Sequence, residues 1–126
     1  MPGFVNVEFN NLEAIKNAYD KNKTCAVLLE PIQGEGGFRL LCPQFAKALR
    51  AICDQHGILL ICDEIQSGFG RTGKRFGFSH LGIEPDLMSF AKGVTSGYLP
   101  LGGVLVSDRI ANVIIDTGGE FAHGFT

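Results

Sequence analysis

Two apolar runs in this sequence end in charge. Residues 58–62 lead directly into Asp63-Glu64, and residues 87–91 lead into Lys92-Gly93. A carboxylate at the end of an apolar strand has two common uses: it helps hold a nucleotide and its metal, or it keeps a protonated ring nitrogen charged. The first use requires a phosphate loop ending in Gly-Lys-Ser/Thr, and the sequence contains none. The second pairs naturally with an amine that forms an imine with an aldehyde cofactor, which a lysine does when burial or neighbouring positive charge lowers its pKa. A lone lysine is ordinarily a solvated surface group. Lys92 differs in closing an apolar run and opening a Gly-Val-Thr-Ser-Gly stretch.

These residues need elements to position them. Leu12, Ile15 and Tyr19 recur with helical spacing, Asn10 or Asn11 can cap, and Glu13 stands at the capping-box position relative to Asn10, which predicts a helix over 11–22. Residues 25–29 and 58–62 lack polar alternation and read as strands buried on both faces, the first closed by Glu30-Pro31. Residues 33–38 form a glycine-rich loop. Pro43 suits a first helical position, Phe45, Leu49 and Ile52 lie along one side of a helix to about Gln55, and His56-Gly57 reads as its exit.

Strand, loop, helix and strand in that order argue for parallel pairing. Residues 66–85 read as irregular, 87–91 and 104–106 as further strands, and Ser107 or Asp108 as the start of a helix through Ile110 and Ile114. The composite is an α/β fold with a mostly parallel sheet and functional residues on loops beyond its strand ends. Consecutive side chains on a strand face opposite ways, so Glu64 need not share the role of Asp63 and is expected in a structural ion pair.

The 126 residues amount to about one domain, and the formal net charge of -2 gives no reason to expect nucleic acid or an acidic membrane as a partner. Seventeen glycines point to tight turns and close backbone approaches. Cys25, Cys42, Cys53 and Cys62 include no Cys-x-x-Cys pair, which argues against a zinc site or a disulfide framework. Three of the four sit in apolar or strand-like surroundings, as buried free thiols do, which favours a reducing compartment. His56 reads as a solvated helix-end residue, and His80 and His123 form no spaced metal set. No apolar run approaches the ~20 residues that span a bilayer and no basic leader precedes an apolar core, so a cytoplasmic location is expected. The opening into a connection and the ending on Phe125-Thr126 read as those of a fragment.

The segment Leu60-Ile61-Cys62-Asp63-Glu64-Ile65-Gln66-Ser67-Gly68-Phe69-Gly70-Arg71-Thr72-Gly73, followed by Asp86-Leu87-Met88-Ser89-Phe90-Ala91-Lys92-Gly93, resembles the signature of the class III pyridoxal-phosphate (PLP) aminotransferases. That family includes ornithine, acetylornithine, 4-aminobutyrate and ω-amino acid:pyruvate aminotransferases. Glu30-Pro31-Ile32-Gln33-Gly34-Glu35-Gly36-Gly37 is similar to the family's upstream loop, so the resemblance extends over nearly the whole chain. It implies that residues 1–126 are part of the mostly parallel-sheet large domain of a fold-type I PLP enzyme, without the upstream phosphate-loop segment and the C-terminal small domain.

Carried over by motif, the resemblance makes Lys92 the Schiff-base lysine and the proton-moving base, and Asp63 the partner of the pyridine nitrogen. Gln66 matches the residue that hydrogen-bonds near the phenolic oxygen of the cofactor, and Ile65 the apolar residue packed beneath its ring. Glu35 matches a glutamate that pairs with an arginine and opens it to the carboxylate of a 2-oxo acid. Glu30 resembles a second active-site glutamate. Thr126 looks like the threonine that donates to the cofactor phosphate of the neighbouring subunit in a homodimer.

The implied reaction moves an amino group from an ω-amino acid, an ornithine-like donor or a diamine to a 2-oxo acid through a PLP Schiff base. Residues 97–104 and 122–126 look more like ω-amino acid:pyruvate and diamine members, whereas Pro2-Gly3-Phe4 and the 30–37 loop look equally like acetylornithine or 4-aminobutyrate members. Aminomutase, racemase-like or decarboxylase chemistry stays open, because residues facing the substrate divide PLP reactions. So does an inactive truncated remnant: little activity is expected of the isolated chain, and activity is expected of a parent of family length.

Overall fold

The computed structural model describes residues 2–117, so the readings of His123 and Thr126 lie outside the described residues. Helix α1, Leu12–Ala18, is capped by Asn11, whose Oδ1 accepts the Ala14 N–H at 3.0 Å. Asn10 has another task. With φ 62 it turns the chain, accepts the Cys42 N–H at 2.9 Å and donates to the Leu40 carbonyl at 3.1 Å. The helix stops short of residue 22 because the next residues bond to one another: Thr24 Oγ1 accepts the Asp20 N–H and Asp20 Oδ1 accepts the Asn22 N–H. Such local side-chain bonds compete with helix propagation.

Strand β1, Ala26–Leu29, is followed by a short hairpin of β2, Ile32–Gln33, and β3, Arg39–Leu40, whose strands flank the stretch read as a glycine-rich loop. Helix α2, Pro43–His56, starts on proline and ends at Gly57, whose φ of 68 suits glycine and whose N–H turns back to the Cys53 and Asp54 carbonyls. Then come β4, Leu59–Asp63, β5, Leu87–Phe90, β6, Gly103–Val106, and helix α3, Asp108–Asp116. The main sheet has the order β1-β4-β5-β6, parallel from β1 through β5 and antiparallel at β6. No helix among the described residues is long and apolar enough to cross a membrane.

Helix α2 packs on β4 through Ala46, Leu49 and Cys53, which form one buried cluster with Ile15, Leu60, Leu81 and Ile83. The expected stripe of Phe45, Leu49 and Ile52 is rotated by one position. Small side chains at 46 and 53 let the helix axis approach the sheet, while Phe45 packs at the margin of the core.

The expectation of strands buried on both faces is corrected. In β4, Leu60 and Cys62 are buried, but Leu59, Ile61 and Asp63, on the other face, are only half-buried. Leu28 pairs with Ile61 on that second face and is 57% exposed. Helix α2 covers one side only, so the unbroken apolar runs reflect a sheet with one face still open among the described residues. The thiols divide similarly. Cys53 and Cys62 are buried, and burial pushes them up to about 11 and about 12, whereas Cys42 is half-buried and Cys25 is exposed.

The start of β5 is fixed by Asp86. Its N–H donates to the Leu60 carbonyl, and its Oδ2 accepts from the Leu60 N–H and Arg50 Nη1, all at 2.8 Å. Arg109 Nη1 stands 3.6 Å from the other carboxylate oxygen, and the Asp86 carbonyl accepts the Ser107 N–H. One carboxylate thereby joins α2, β4, β5 and α3. Burial opposes its charge, but the Leu60 N–H and the two guanidinium groups outweigh that and hold Asp86 below the usual carboxylate range.

Candidate active site

Because β4 and β5 are parallel, both release the chain at the same edge of the sheet. Asp63 is the last residue of β4, paired with Ser89, and Lys92 follows just beyond the end of β5. The Glu64 N–H donates to the Ser89 carbonyl at 3.0 Å and carries the pairing one residue further. Asp63 Oδ1 then accepts the Ile65 N–H at 2.9 Å, which starts the turn out of the strand.

Glu64 is fully buried, and its role departs from the expected ion pair. Its Oε2 accepts from Ser67 Oγ at 2.6 Å and from the Gly77 N–H at 2.8 Å, while Oε1 accepts the Phe78 N–H at 2.7 Å. Among the described residues no cation pairs with it. Three aimed donors replace one, and charge-assisted bonds of this length are strong. The carboxylate binds both ends of the 67–78 loop to the sheet. The side-chain alternation that separates Asp63 from Glu64 was readable in the sequence; the donors it meets were not.

Lys92 is exposed and has φ 47, in the left-handed region that costs a side-chain-bearing residue about 1–2 kcal/mol. It opens a tight 3-10 turn, Lys92–Thr95, that ends on Ser96, also left-handed. The turn is held against the preceding loop, since a Cβ on Gly93 would stand 3.3 Å from Phe69 Cβ. Phe69, itself at φ 54, packs its ring 5.6 Å from those of Phe76 and Phe90. This aromatic cluster joins the loop after β4 to the end of β5, and the sequence reading missed it; the recurrence of phenylalanine at 69, 76, 78 and 90 was the available signal.

A cavity of about 970 Å³ lies between the β2–β3 hairpin and the loop after β4. Gln66 and Phe69 line it from the loop, Gly34 and Phe38 from the hairpin, and Lys92 with Gly93 forms its margin. Lys92 also borders a second, more open depression of about 760 Å³ beside Tyr98 and Leu99. Glu30 is tied to the first wall, because its Oε2 accepts the Gly34 N–H at 3.4 Å. The structure therefore brings Lys92 and Gln66 around one hollow, while Glu30 lines neither hollow and reaches the first only through its bond to Gly34. Asp63 and Ile65 are half-buried at the strand end and line neither hollow, and Glu35 is exposed on the hairpin. Chemically, the arrangement offers an accessible amine, an amide on a cavity wall and a carboxylate at the end of the adjacent strand.

The family model for class-III aminotransferases matches residues 5–126. An acetylornithine/succinyldiaminopimelate aminotransferase of Yersinia pestis is 47% identical over 110 residues, which cover 87% of this chain and 27% of the relative. Among solved structures, an ornithine δ-aminotransferase of Plasmodium falciparum superposes with a TM-score of 0.86 at 30% identity, over 98% of this chain and 31% of that one. A taurine:2-oxoglutarate aminotransferase of Bifidobacterium kashiwanohense, solved with PLP and glutamate, gives 0.78 at 42% identity, over 90% of this chain and 25% of that one. The chain spans just over a quarter of the length of the curated relative. With the fold, the strand-end residues and a match over nearly its full length in agreement, the chain belongs to the class-III aminotransferase family and its sheet to the large domain of a fold-type I PLP enzyme.

Proposed function

We propose that this chain carries the lysine and carboxylate centre of a PLP-dependent aminotransferase, one that moves an amino group from an ω-amino, ornithine-like or diamine donor to a 2-oxo acid. The observation that carries the reading is the exit of Asp63 and Lys92 from neighbouring parallel strands at one sheet edge, inside the matched family segment. The donor class is supported by the relatives, named for acetylornithine, ornithine and taurine.

The residues present fit the cofactor. Lys92 offers an amine at the cavity margin, Gln66 an amide on its wall, and Asp63 a carboxylate whose Oδ2 accepts no hydrogen bond among the described residues. PLP, when bound, supplies an electron sink for the carbon that loses its proton. Asp63 would hold the protonated ring nitrogen, Gln66 would hydrogen-bond near the phenolic oxygen, and Ile65 would pack beneath the ring. Lys92 Nζ would hold the aldehyde, and in its free form would take and return the proton of the donor carbon. Glu30 and Glu35 are proposed to act on the substrate side, and Thr126 at the phosphate of a partner subunit in a homodimer.

Residues 1–126 are proposed as part of the PLP-binding large domain of a longer chain, because they cover just over a quarter of the relative's length. The test is borohydride trapping after incubation with PLP, with peptide mapping of the adduct, followed by a donor panel of ornithine, 4-aminobutyrate, β-alanine and diamines. A family-length chain is expected to carry the adduct at Lys92 and to turn over at least one donor; an adduct elsewhere, or none, overturns the reading. The 126 residues alone are expected to show little turnover, and robust activity from them would overturn that expectation.

A further inference from the structure

The hairpin and the Gln66 side chain meet where a side chain has no room. Gly34 is buried, and a Cβ built on it would overlap Gln66 Oε1 and Cδ and stand 2.7 Å from Nε2. The Gly34 backbone is fixed from both sides: its N–H donates to Glu30 Oε2, and its carbonyl accepts from the Gly37 and Phe38 N–H groups at 3.1 and 3.3 Å. Its φ lies outside the left-handed region, so the backbone itself would accept alanine. Glycine stands here for space, and the space is filled by the amide of Gln66.

We infer that Gly34 is a positioning residue for Gln66: the bare backbone at 34 seats the Gln66 amide on the cavity wall and couples it to the hairpin that carries Glu35. The inference rests on the proposed contact between Gln66 and the cofactor. Its consequence is specific. The three atoms nearest a methyl at 34 all belong to the far end of the flexible Gln66 side chain, so the fold is expected to persist while the amide is displaced with its chemistry unchanged. A neighbouring glycine supplies the contrast, since the three atoms nearest a Cβ on Gly36 all belong to Gln33, the first of them Oε1 at 2.9 Å.

The experiment compares Gly34→Ala, Gln66→Ala, their double variant and Gly36→Ala in a family-length chain, reading PLP Kd, the absorbance band of the bound cofactor and Tm. Gly34→Ala and Gln66→Ala are each expected to weaken PLP binding roughly tenfold and to shift the band in the same direction. The double variant should bind no more weakly than Gln66→Ala, because the two changes remove one interaction, and Gly36→Ala should stay within about twofold of the parent. Wild-type affinity in Gly34→Ala beside a defective Gln66→Ala overturns the proposal, as do additive losses or an equal loss in Gly36→Ala. A silent Gln66→Ala removes the cofactor reading of Gln66, and the positioning role with it. If Gly34→Ala fails to fold, recovery in the double variant supports the proposal, and failure of the double variant while Gln66→Ala folds overturns it.

Discussion

At one end of β5 stands Asp86, 8% exposed and bonded to the Leu60 N–H, Arg50 and Arg109; at the other stands Lys92, at the margin of two hollows, with its backbone at φ 47. Six positions of sequence separate a residue held by everything around it from one held in a disfavoured conformation and open on two sides. The buried ion pair gains from α2, β4 and α3 at once and fixes the start of the strand. The strain at Lys92 persists because the strand, the 3-10 turn and the Phe69 contact define its backbone from outside. Such asymmetry is what a parallel sheet with a site at its carboxyl edge requires: one end made rigid so that the other can project a side chain.

The comparison is tested most severely at Lys92. In a family-length chain, Lys92→Ala is expected to abolish the borohydride-trapped adduct and to lower transamination by about 10³-fold or more. Its effect on stability should have the opposite character. Lys92→Gly relieves the left-handed strain and is expected to leave the urea midpoint unchanged or raise stability by up to about 1 kcal/mol. A large loss of stability in both variants would show that Lys92 is held for packing and would erase the contrast.

At the closed end the signs reverse. Asp86→Ala leaves Arg50, whose side chain is 15% exposed, without its buried partner, and should cost about 3 kcal/mol, read as a lower urea midpoint. A loss under about 0.5 kcal/mol, the range of ordinary surface substitutions, would mean that the strand start is not held by this pair. Glu64→Gln comes next. The amide keeps the shape but turns an acceptor into a donor facing the N–H groups of Gly77 and Phe78 or the Ser67 hydroxyl, at a cost of about 1–3 kcal/mol. Hydrogen exchange should locate the loosening in residues 67–78, and uniform loosening across the sheet would assign Glu64 to the core instead.

Much of this contrast was legible in the sequence, and the missing parts have a common cause. The apolar runs at 58–62 and 87–91 ended within a residue or two of β4 and β5, because short apolar runs suit strands and a charge marks the exit from the sheet. Pro43 and Gly57 framed α2 through local backbone rules. What escaped was set by partners distant in sequence. The Glu64 donors come from residues 67, 77 and 78, the Asp86 cluster from 50, 60 and 109, and the space above Gly34 from residue 66. Strands β2 and β3 have two residues each, too few to show a period. The open face at Leu28 escaped for a different reason: apolar runs record what a strand is made to bury, and these residues do not supply the cover.

The smallest expected effect concerns pH. The folded-state pKa of Asp86 lies below its unfolded value, because the Leu60 N–H, Arg50 and Arg109 outweigh the burial that opposes its charge. A depressed carboxylate contributes stability that is present above the unfolded pKa, about 3.9, and lost as pH falls through the folded pKa. The stability difference between the parent and Asp86→Asn is therefore expected to be flat from about pH 7 to about pH 5. Below about pH 4 it should shrink, with a slope of at most about 1.4 kcal/mol per pH unit, the limit for a single proton. Urea midpoints of the two chains, measured in parallel across that range, isolate this residue from the other carboxylates. A difference that instead changes near neutral pH would assign the titration to another group and would separate the rigidity of the strand start from the charge of Asp86.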